Sequence, residues 1–200
     1  MSLLPRLFQS ARRFAQRGEA KLRLLPVMLA LSAGGLVGIG LHEGYRGQAY
    51  DDGHGVQTVG FGSTEREDGT PVRPGDKTTP ERALVRLADH VEKTEAAMRA
   101  CMGPVPLFQH EWDAYVSLAY NIGPAAFCRS TLVRKLKQTP PDYAAACAEI
   151  LRWNRAGGQV LAGLVKRREA EYRLCVGGIS PSPQPSPARG EGAKTVEIAP

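Results

Sequence analysis

The sequence lacks the features of several common protein classes. Aromatic residues make up only 6% of its 200 positions, and the four cysteines and four histidines show none of the paired spacing of a zinc site. The net charge of +6 first suggests a nucleic-acid partner, but residues 1–23 contain six of the 26 basic residues and one of the 20 acidic residues. The rest of the chain therefore carries a net charge of only +1, whereas a DNA-binding domain is expected to have a basic face on its folded body. We expect no nucleic-acid partner, no metal and no cofactor.

Residues 43–62, EGYRGQAYDDGHGVQTVGFG, place two carboxylates and one hydroxyl around a predicted turn. Glu43 ends an apolar, Gly-rich run typical of a helix, Asp52 lies in an Asp-Gly turn, and Thr58 follows in a stretch that favours a strand. Glycoside hydrolysis needs one carboxylic acid to protonate the leaving oxygen and one carboxylate to handle water or the developing cation. The three residues could meet at one wall of a cleft. The alternative is that Glu43 is only a solvated acid at a helix end and Asp52 only a turn-forming residue.

This stretch resembles the catalytic region of the phage-type lysozymes, glycoside hydrolase family 24, whose motif is Glu, eight residues, Asp, five residues and Thr. Glu43, Asp52 and Thr58 have that spacing, and the family's T-x-G-x-G continuation is present at 58–62. Residues 108–136 and 152–175 resemble the central and C-terminal helices of the family. The resemblance implies that Glu43 is the general acid and that Asp52 and Thr58 position the attacking water or stabilise the transition state. It also implies a mainly helical α+β fold, lysozyme-like, with one small β-hairpin beside a helical lobe.

Composition divides the chain into four parts. Residues 1–23 are a basic leader, 24–41 a weakly hydrophobic segment, 42–176 the catalytic domain, and 177–200 a Pro/Ser/Gly-rich tail predicted to be disordered. As a helix, the 18 uncharged residues of 24–41 would span about 27 Å, just short of a ~30 Å hydrocarbon core. Basic residues before this segment predict a cytoplasmic N-terminus and an exported body.

The segment 24–41 allows three interpretations. It could be a signal peptide cleaved near Ser32-Ala33-Gly34, or a permanent anchor, although its glycines disfavour stable insertion. Resemblance to endolysins with signal-anchor-release segments favours a third possibility, in which the enzyme stays tethered to the inner membrane and inactive until the segment leaves the lipid. Only Leu41 and His42 separate the segment from Glu43, so tethering would hold the proposed acid at the membrane surface.

Turn and cap residues predict several helices after the hairpin. Their predicted limits are Pro80 (capped by Thr79) to about Met102, Phe108 to Ile122, Ser130 or Thr131 to Leu136, Pro140 to about Trp153, and Leu164 to Cys175. Trp112 and Trp153 could stack on sugars, but their apolar helical surroundings favour core packing. The pair Arg167-Arg168 could hold Glu43 or lie on a solvated face, and His42 is expected to be a solvated residue at the membrane interface.

An even number of cysteines in an exported body predicts two disulfides. Sequence permits three pairings, and the resemblance favours Cys128 with Cys147 and Cys101 with Cys175, because these would join helix ends that neighbour each other in the family's fold. Some of the anchor-release endolysins that the chain resembles carry a cysteine in the anchor as an activation switch. The segment 24–41 contains none, so the resemblance implies control by membrane release alone.

The resemblance implies a monomeric, exported endolysin, a muramidase that cleaves the β-1,4 bond of peptidoglycan. A wall-binding protein without turnover, a lytic transglycosylase, and a membrane protein whose small-residue segment oligomerises into a pore are the alternatives. The membrane partner would be the inner membrane, bound through residues 24–41 before release.

Overall fold

The computed structural model describes residues 22–53 and 55–177. Its elements, in chain order, are α1 (Ala33–Glu43), β1 (Arg46–Asp51), β2 (Gln57–Gly60), α2 (Pro80–Met102), α3 (Gln109–Ile122), α4 (Pro124–Arg129), α5 (Thr131–Leu136), α6 (Tyr143–Glu149), β3 (Arg155–Ala156), β4 (Gln159–Val160) and α7 (Ala162–Cys175). The predicted class is confirmed: the described part is mainly helical, with a hairpin beside a helical lobe. The proposed leader lies outside the described residues except for its last two, and the proposed tail lies outside them except for Gly177.

The core is built around α3, which packs against α2 and α7. Its apolar residues recur on more than one face, so most of the helix is buried, and Trp112 has no exposed surface. The indole Nε1 of Trp112 donates a 2.8 Å hydrogen bond to Glu95, which satisfies the one polar atom of that ring. Core packing is thus confirmed for Trp112, and Trp153 is partly buried against the same core.

Local signals set the helix starts. The hydroxyl of Thr79 accepts a hydrogen bond from the backbone of Arg82 and Pro80 is the first residue of α2, as predicted. Ser130 caps α5 by accepting from the backbone of Val133. The helix expected between Pro140 and Trp153 is instead α6 followed by a turn of 3-10 helix over Ile150–Arg152. The structure also contains two elements that the sequence patterns did not predict: α4 and the short hairpin β3–β4, whose strands have two residues each.

The predicted hairpin is present, and its turn is organised by Asp51. The carboxylate of Asp51 accepts hydrogen bonds from the backbone of Gly53 at 2.8 Å and of Gly55 at 3.1 Å. Both glycines have a positive φ, +89° and +81°, which side-chain-bearing residues rarely adopt. The strands β1 and β2 are antiparallel, and Tyr50 pairs with Thr58 across them.

Residues 24–41 fold onto the body in this structure. Leu24 forms a β-bridge with Leu107, Pro26–Met28 make a 3-10 turn, and α1 begins at Ala33. Among the described residues, no helix combines the length and the apolarity that crossing a membrane would need. Leu29 and Ile39 lie in the core with 3% and 1% of their surface exposed.

Charged residues of α2 and α3 bind the polar backbone of this N-terminal segment. Glu95 accepts from the backbone of Leu31 at 2.6 Å, and Arg99 donates to the carbonyl oxygen of Leu29 at 2.7 Å. Asp113 accepts from both the backbone and the hydroxyl of Ser32, at 2.9 and 2.6 Å.

Arg23, the residue before this segment, also binds the body. Its guanidinium lies 3.4 Å from the ring centroid of Tyr143 and 4.4 Å from that of Phe108, and it forms a 2.7 Å ion pair with Glu111. The segment therefore contributes apolar side chains and backbone, and charged side chains of the body bind the backbone of Leu29, Leu31 and Ser32.

Two disulfides are present, but the favoured pairing was wrong. The bonds join Cys101 with Cys128 and Cys147 with Cys175, and the described residues contain no free cysteine. The C-terminal end of α2 packs against α4, which brings the first pair together, and α6 packs against α7, which brings the second. The Cα atoms are 5.7 Å apart in both bonds.

Candidate active site

Glu43 is the last residue of α1 and lines an open cleft of about 470 Å³. The helix ends there because Gly44 takes a φ of +70°, and the chain then turns into β1. The other residues of this cleft come from the loop after the hairpin, from α2 and from the end of α3; they are Gly62, Thr64, Glu65, His90, Lys93, Thr94, Tyr120 and Asn121. The carboxyl group thus lies between the hairpin side and the helical side of the molecule, with 22% of its side chain exposed.

One oxygen of Glu43 is held and the other faces the loop glycine. Oε1 accepts a 2.9 Å hydrogen bond from Nη1 of Arg167, which resolves the open question about Arg167 and Arg168. A methyl group built on Gly62 would lie 3.5 Å from Oε2 of Glu43. Gly62 has a φ of +85°, which favours glycine, and a side chain at this position would contact Oε2 from the loop side.

Arg167 is itself fixed by a buried network. Its Nε donates to Glu171 at 3.2 Å and its Nη2 to the carbonyl oxygen of Ser117 at 3.4 Å, while the Ser117 hydroxyl donates to Glu171 at 2.7 Å. Arg167 and Glu171 have side chains only 8% and 3% exposed. Because the guanidinium has three directed partners, its approach to Glu43 is set by α3 and α7 together.

Arg168 points to a different set of partners. Its Nη2 donates to Asn121 at 2.6 Å, and its Nη1 lies 3.2 Å from Oε2 of Glu171. Those two atoms are close enough for an ion pair but are not aligned for a hydrogen bond, and each lacks a hydrogen-bond partner among the described residues. We therefore treat this contact as electrostatic only.

Burial dominates the ionisation of this cluster. It raises the pKa of Glu171, against the opposing effects of Arg168, the Ser117 hydroxyl and Arg167, and it lowers the pKa of Arg168. The pKa of Tyr120, beside the cleft, is raised to about 12 by burial and then by the negative charge of Glu43. Tyr120 is therefore a neutral hydrogen-bonding group at ordinary pH.

Asp52 and Thr58 lie on the hairpin that follows Glu43 and do not line the cleft described above. Asp52 is exposed at the turn, where its carboxylate accepts from the backbone of Val56 at 3.2 Å. Thr58 is only 5% exposed, and its hydroxyl donates to the carbonyl oxygen of Val56 at 3.4 Å. Thr58 lies opposite Tyr50 in the ladder, and Asp52 follows the end of β1 at the turn, so the two residues belong to one hairpin. Glu43 precedes that hairpin at the end of α1.

Several residues of the site had no sequence-based prediction. Glu171 could have been suspected from its position four residues after Arg167, a spacing that allows an ion pair on one helix face. Ser117, Tyr120 and Asn121 carry no such signal, because only the packing of α3 against α7 brings them to the cluster. His42, next to Glu43, is exposed to solvent, as expected. The described residues contain no group of three His, Cys, Asp or Glu side chains that could hold a metal ion.

Comparison with known proteins gives consistent matches. The sequence model of the family described as Phage lysozyme matches residues 40–171. The chain is 36% identical to the Endolysin of Salmonella phage P22 over 141 residues, which covers 70% of this chain and 94% of that protein. It is also 35% identical to the SAR-endolysin of Bacteriophage PS34 over 136 residues, covering 68% of this chain and 77% of that protein.

Comparison of the fold with solved structures also finds an endolysin. The solved structure of the Endolysin from Escherichia coli O157:H7 phage FAHEc1 superposes with a TM-score of 0.69 at 34% sequence identity. The match covers 78% of this chain and 98% of that structure. The similarity therefore extends over the helical lobe, the hairpin and the cleft between them.

Proposed function

This chain belongs to the phage lysozyme family, and from that membership we propose that Glu43 is the general acid of an exported endolysin. As a lysozyme it is a glycoside hydrolase, a muramidase that cleaves the β-1,4 bond between N-acetylmuramic acid and N-acetylglucosamine and lyses the host cell wall. The observation that carries the assignment of the acid is the position of Glu43 in the cleft, with Oε1 bound to Arg167 and Oε2 beside Gly62 of the loop.

Each residue of the site has its own role in breaking the glycosidic bond. Oε2 of Glu43 donates its proton to the leaving glycosidic oxygen, so the bond from the anomeric carbon to that oxygen breaks and the carboxylate remains behind. Arg167 fixes the orientation of the carboxyl group through Oε1. Asp52 and Thr58 guide the attacking water or stabilise the positive charge that develops on the sugar; this assignment rests on the family motif and on their common hairpin.

The test of the acid is Glu43→Gln, which keeps the shape of the side chain and removes the proton donor. We expect the rate of cleavage of isolated sacculi to fall at least ~10²-fold, the usual contribution of a general acid. Glu169→Gln, an exposed change of the same kind on α7, is the matched control and should leave the rate unchanged. Mass spectrometry of the products should show reducing-end muramic acid, whereas an anhydro-sugar would identify a transglycosylase. A wild-type rate from purified Glu43→Gln would refute the assignment.

The hairpin residues are tested in the same assay. Asp52→Asn should cause a severe loss, and Thr58→Ala should lower activity without unfolding the domain. Circular dichroism separates the two effects, because Thr58 is nearly buried and a loss of packing would show as a lower melting temperature.

We further propose that residues 24–41 are a signal-anchor-release segment that tethers the enzyme to the inner membrane before it acts in the periplasm. The proposal is supported by the charge-free composition of the segment and by relatives named SAR-endolysins. It is compatible with the fold, in which the same residues pack on the body and place Glu43 at the end of α1. In the tethered state that helix would be absent from the body, so the site would be incomplete.

The glycines of α1 allow a specific test of release. Side chains at Gly34 and Gly38 would meet open space or only the Ser32 hydroxyl at 3.7 Å, whereas at Gly35 a methyl group would lie 2.5 Å from the side chain of Leu31. Gly34→Leu/Gly38→Leu therefore raises the apolarity of the segment by several tenths of a kcal/mol per site, at positions where an added Cβ meets no close neighbour. Gly163→Leu, at an open position of α7, is the control.

We expect full-length wild-type protein to fractionate first with membranes and then, at unchanged mass, as a soluble enzyme after depolarisation. The double variant should stay in the membrane fraction and fail to lyse cells, while Gly163→Leu should behave like wild type. A smaller soluble enzyme that appears directly after export would establish a cleaved signal peptide and contradict the proposal.

A further inference from the structure

One guanidinium joins two carboxyl groups at the site. Arg167 donates from Nη1 to Oε1 of Glu43 at 2.9 Å and from Nε to Oε1 of Glu171 at 3.2 Å. Glu43 ends α1 and lines the cleft, whereas Glu171 lies on α7 with only 3% of its side chain exposed. The proposed acid and this buried carboxyl group therefore share a single positive charge.

The contact with Arg167, taken by itself, works against a general acid. A cation within hydrogen-bond distance favours the ionised form of a carboxyl group, and the ionised form of Glu43 has no proton to give to the leaving oxygen. The side chain of Arg167 is only 8% exposed, so water screens its charge weakly. A group that offsets the charge of Arg167 would therefore extend the pH range in which Glu43 can act as an acid.

The titratable groups beside Glu43 on α1, α2 and α3 are neutral at ordinary pH and cannot offset this charge. Partial burial lowers the pKa of His42, and the two adjacent arginines of α7 lower it further. Burial, followed by the charge of Lys93, lowers the pKa of His90, which lines the cleft. Burial also keeps the Tyr120 hydroxyl neutral by raising its pKa to about 12.

The charged groups around Arg167 differ in how strongly they act on it. Lys93 and Glu65 line the open cleft, are exposed to solvent and have opposite signs. Arg168 adds a second buried positive charge, and its Nη1 lies 3.2 Å from Oε2 of Glu171. Glu171 thus forms ion pairs with both arginines and reduces their combined charge from two to one.

The contacts of Glu171 suit a carboxylate. The Ser117 hydroxyl donates at 2.7 Å to the same oxygen that Nε of Arg167 approaches, and Arg168 lies beside the other oxygen. Burial raises the pKa of Glu171, and all three of these groups oppose that rise. Two cations and one hydroxyl donor favour the ionised form, so Glu171 can serve as a buried counter-ion.

We propose that Glu171 is a positioning residue that acts through Arg167: its carboxylate offsets the charge of the guanidinium, so that Glu43 keeps its proton at a higher pH than Arg167 alone would allow. The proposal rests on the general-acid role of Glu43 and deepens it, because it assigns control over the pH range of cleavage to a residue that does not line the cleft. A role of Glu171 in packing alone would instead affect the rate equally at every pH.

The pH profile of sacculus cleavage tests the proposal. Glu171→Gln keeps the shape of the side chain and an oxygen that can accept from Arg167, but it carries no charge. We expect the alkaline limb of the profile to move to lower pH by about one unit, which is a tenfold loss of rate at any pH above the limb. At low pH, where Glu43 carries its proton in both proteins, the rate should stay within about threefold of the wild-type rate.

Two control variants separate the charge of Glu171 from its packing and from the net charge of the protein. Glu171→Asp keeps the charge but shortens the side chain, so the rate should fall while the alkaline limb stays in place. Glu169→Gln removes a negative charge from an exposed position of the same helix and should leave both the rate and the limb unchanged, because solvent screens that charge. A parallel loss of rate by Glu171→Gln at every pH, or an equal shift of the limb in either control, would overturn the proposal.

Carbon-13 NMR of the glutamate carboxyl groups follows the same protons without turnover. The signal of Glu43, identified by its absence from Glu43→Gln, should titrate at lower pH in Glu171→Gln than in wild type, and an unchanged titration would overturn the proposal. If Glu171→Gln does not fold, the Glu171 signal of the wild-type protein decides. It must be that of a carboxylate throughout the pH range of cleavage, because a protonated Glu171 could not offset Arg167. A wild-type rate from Glu43→Gln would refute the general-acid role, whereas a shifted titration would still show that Glu171 controls the proton of Glu43.

Discussion

Arg167 supports both the stability of the fold and the orientation of Glu43, the proposed acid, and Arg167→Met separates the two effects. The substitution keeps most of the side-chain volume but leaves Glu171 and Glu43 without their shared cation. Removing one partner of a buried ion pair typically costs about 3–5 kcal/mol. Because Arg168 remains 3.2 Å from Glu171, we expect the lower end, about 3 kcal/mol. For a domain of this size, that corresponds to a melting temperature lower by about 6–12 °C.

The loss of stability should depend on pH in a specific direction. Burial already raises the pKa of Glu171 above its ordinary value of 4.5, and Arg167 is one of the groups that oppose this shift. Without Arg167 the pKa of the folded state rises further, so folding of the variant takes up a proton. A raised carboxyl pKa contributes stability that is complete below the unfolded value and is lost as pH rises through the folded value. The difference in the free energy of unfolding between wild type and variant should therefore be smaller at pH 5 than at pH 7.

Urea denaturation at both pH values provides the measurement, and Arg167→Met/Glu171→Gln provides the control. Removing the carboxylate of Glu171 as well should restore about 1–2 kcal/mol of the free energy of unfolding at pH 7, because no buried carboxylate is left unpaired at position 171. It should also abolish the dependence of this free energy on pH. The double variant should nevertheless remain poorly active, because Glu43 still lacks the hydrogen bond that orients it. An equal penalty at both pH values, or no recovery in the double variant, would refute the reasoning.

Three further predictions concern the fold. Arg23→Ala should lower the free energy of unfolding by about 2–3 kcal/mol in urea titrations, because Glu111 is left buried without its cation and the rings of Tyr143 and Phe108 lose a cation–π contact. An unchanged midpoint of urea denaturation would contradict this. Gly60→Ala should lower the free energy of unfolding by about 2–4 kcal/mol, because the φ of Gly60 is +71° and a methyl group there would lie 2.9 Å from Cβ of Ala83. Gly69→Ala is the control for backbone strain alone, because Gly69 has a φ of +78° and open surroundings. Peptide mapping of exported protein under non-reducing conditions should recover the two disulfides described above and no free thiol, and each bond, closing a loop of 27 or 28 residues, should add about 3–4 kcal/mol of stability.

The features that sequence predicted well depend on neighbours in the chain. Thr79-Pro80 starts α2 and Ser130 caps α5, because a cap involves only the next three or four residues. The Asp-Gly turn of the hairpin is equally local, since Asp51 binds the backbone of the turn that follows it. Glu43 could be singled out because the motif with Asp52 is compact, although nothing in that motif shows that Arg167 would hold the acid.

The features that sequence did not predict depend on how helices meet. Arg167 and Arg168 are adjacent, so on a helix they point about 100° apart and only one can face Glu43. The choice between them is set by the rotation of α7 against α3, which is a property of the packed core. The disulfide pairing was wrong for the same reason: four cysteines give three connectivities, and only the contacts of α2 with α4 and of α6 with α7 select one.

The binding of residues 24–32 by charged side chains of the body has a consequence for how the protein can vary. Residues 24–32 have no charged side chain of their own, and their backbone is held by Glu95, Arg99 and Asp113 of the body. A hydrogen bond to backbone does not depend on which side chain the residue carries. The segment can therefore exchange one apolar residue for another, and so change its affinity for lipid, while the body continues to recognise it. Substitutions of Glu95 or Asp113 should have the opposite effect, weakening the folded enzyme without altering how the segment partitions into a membrane.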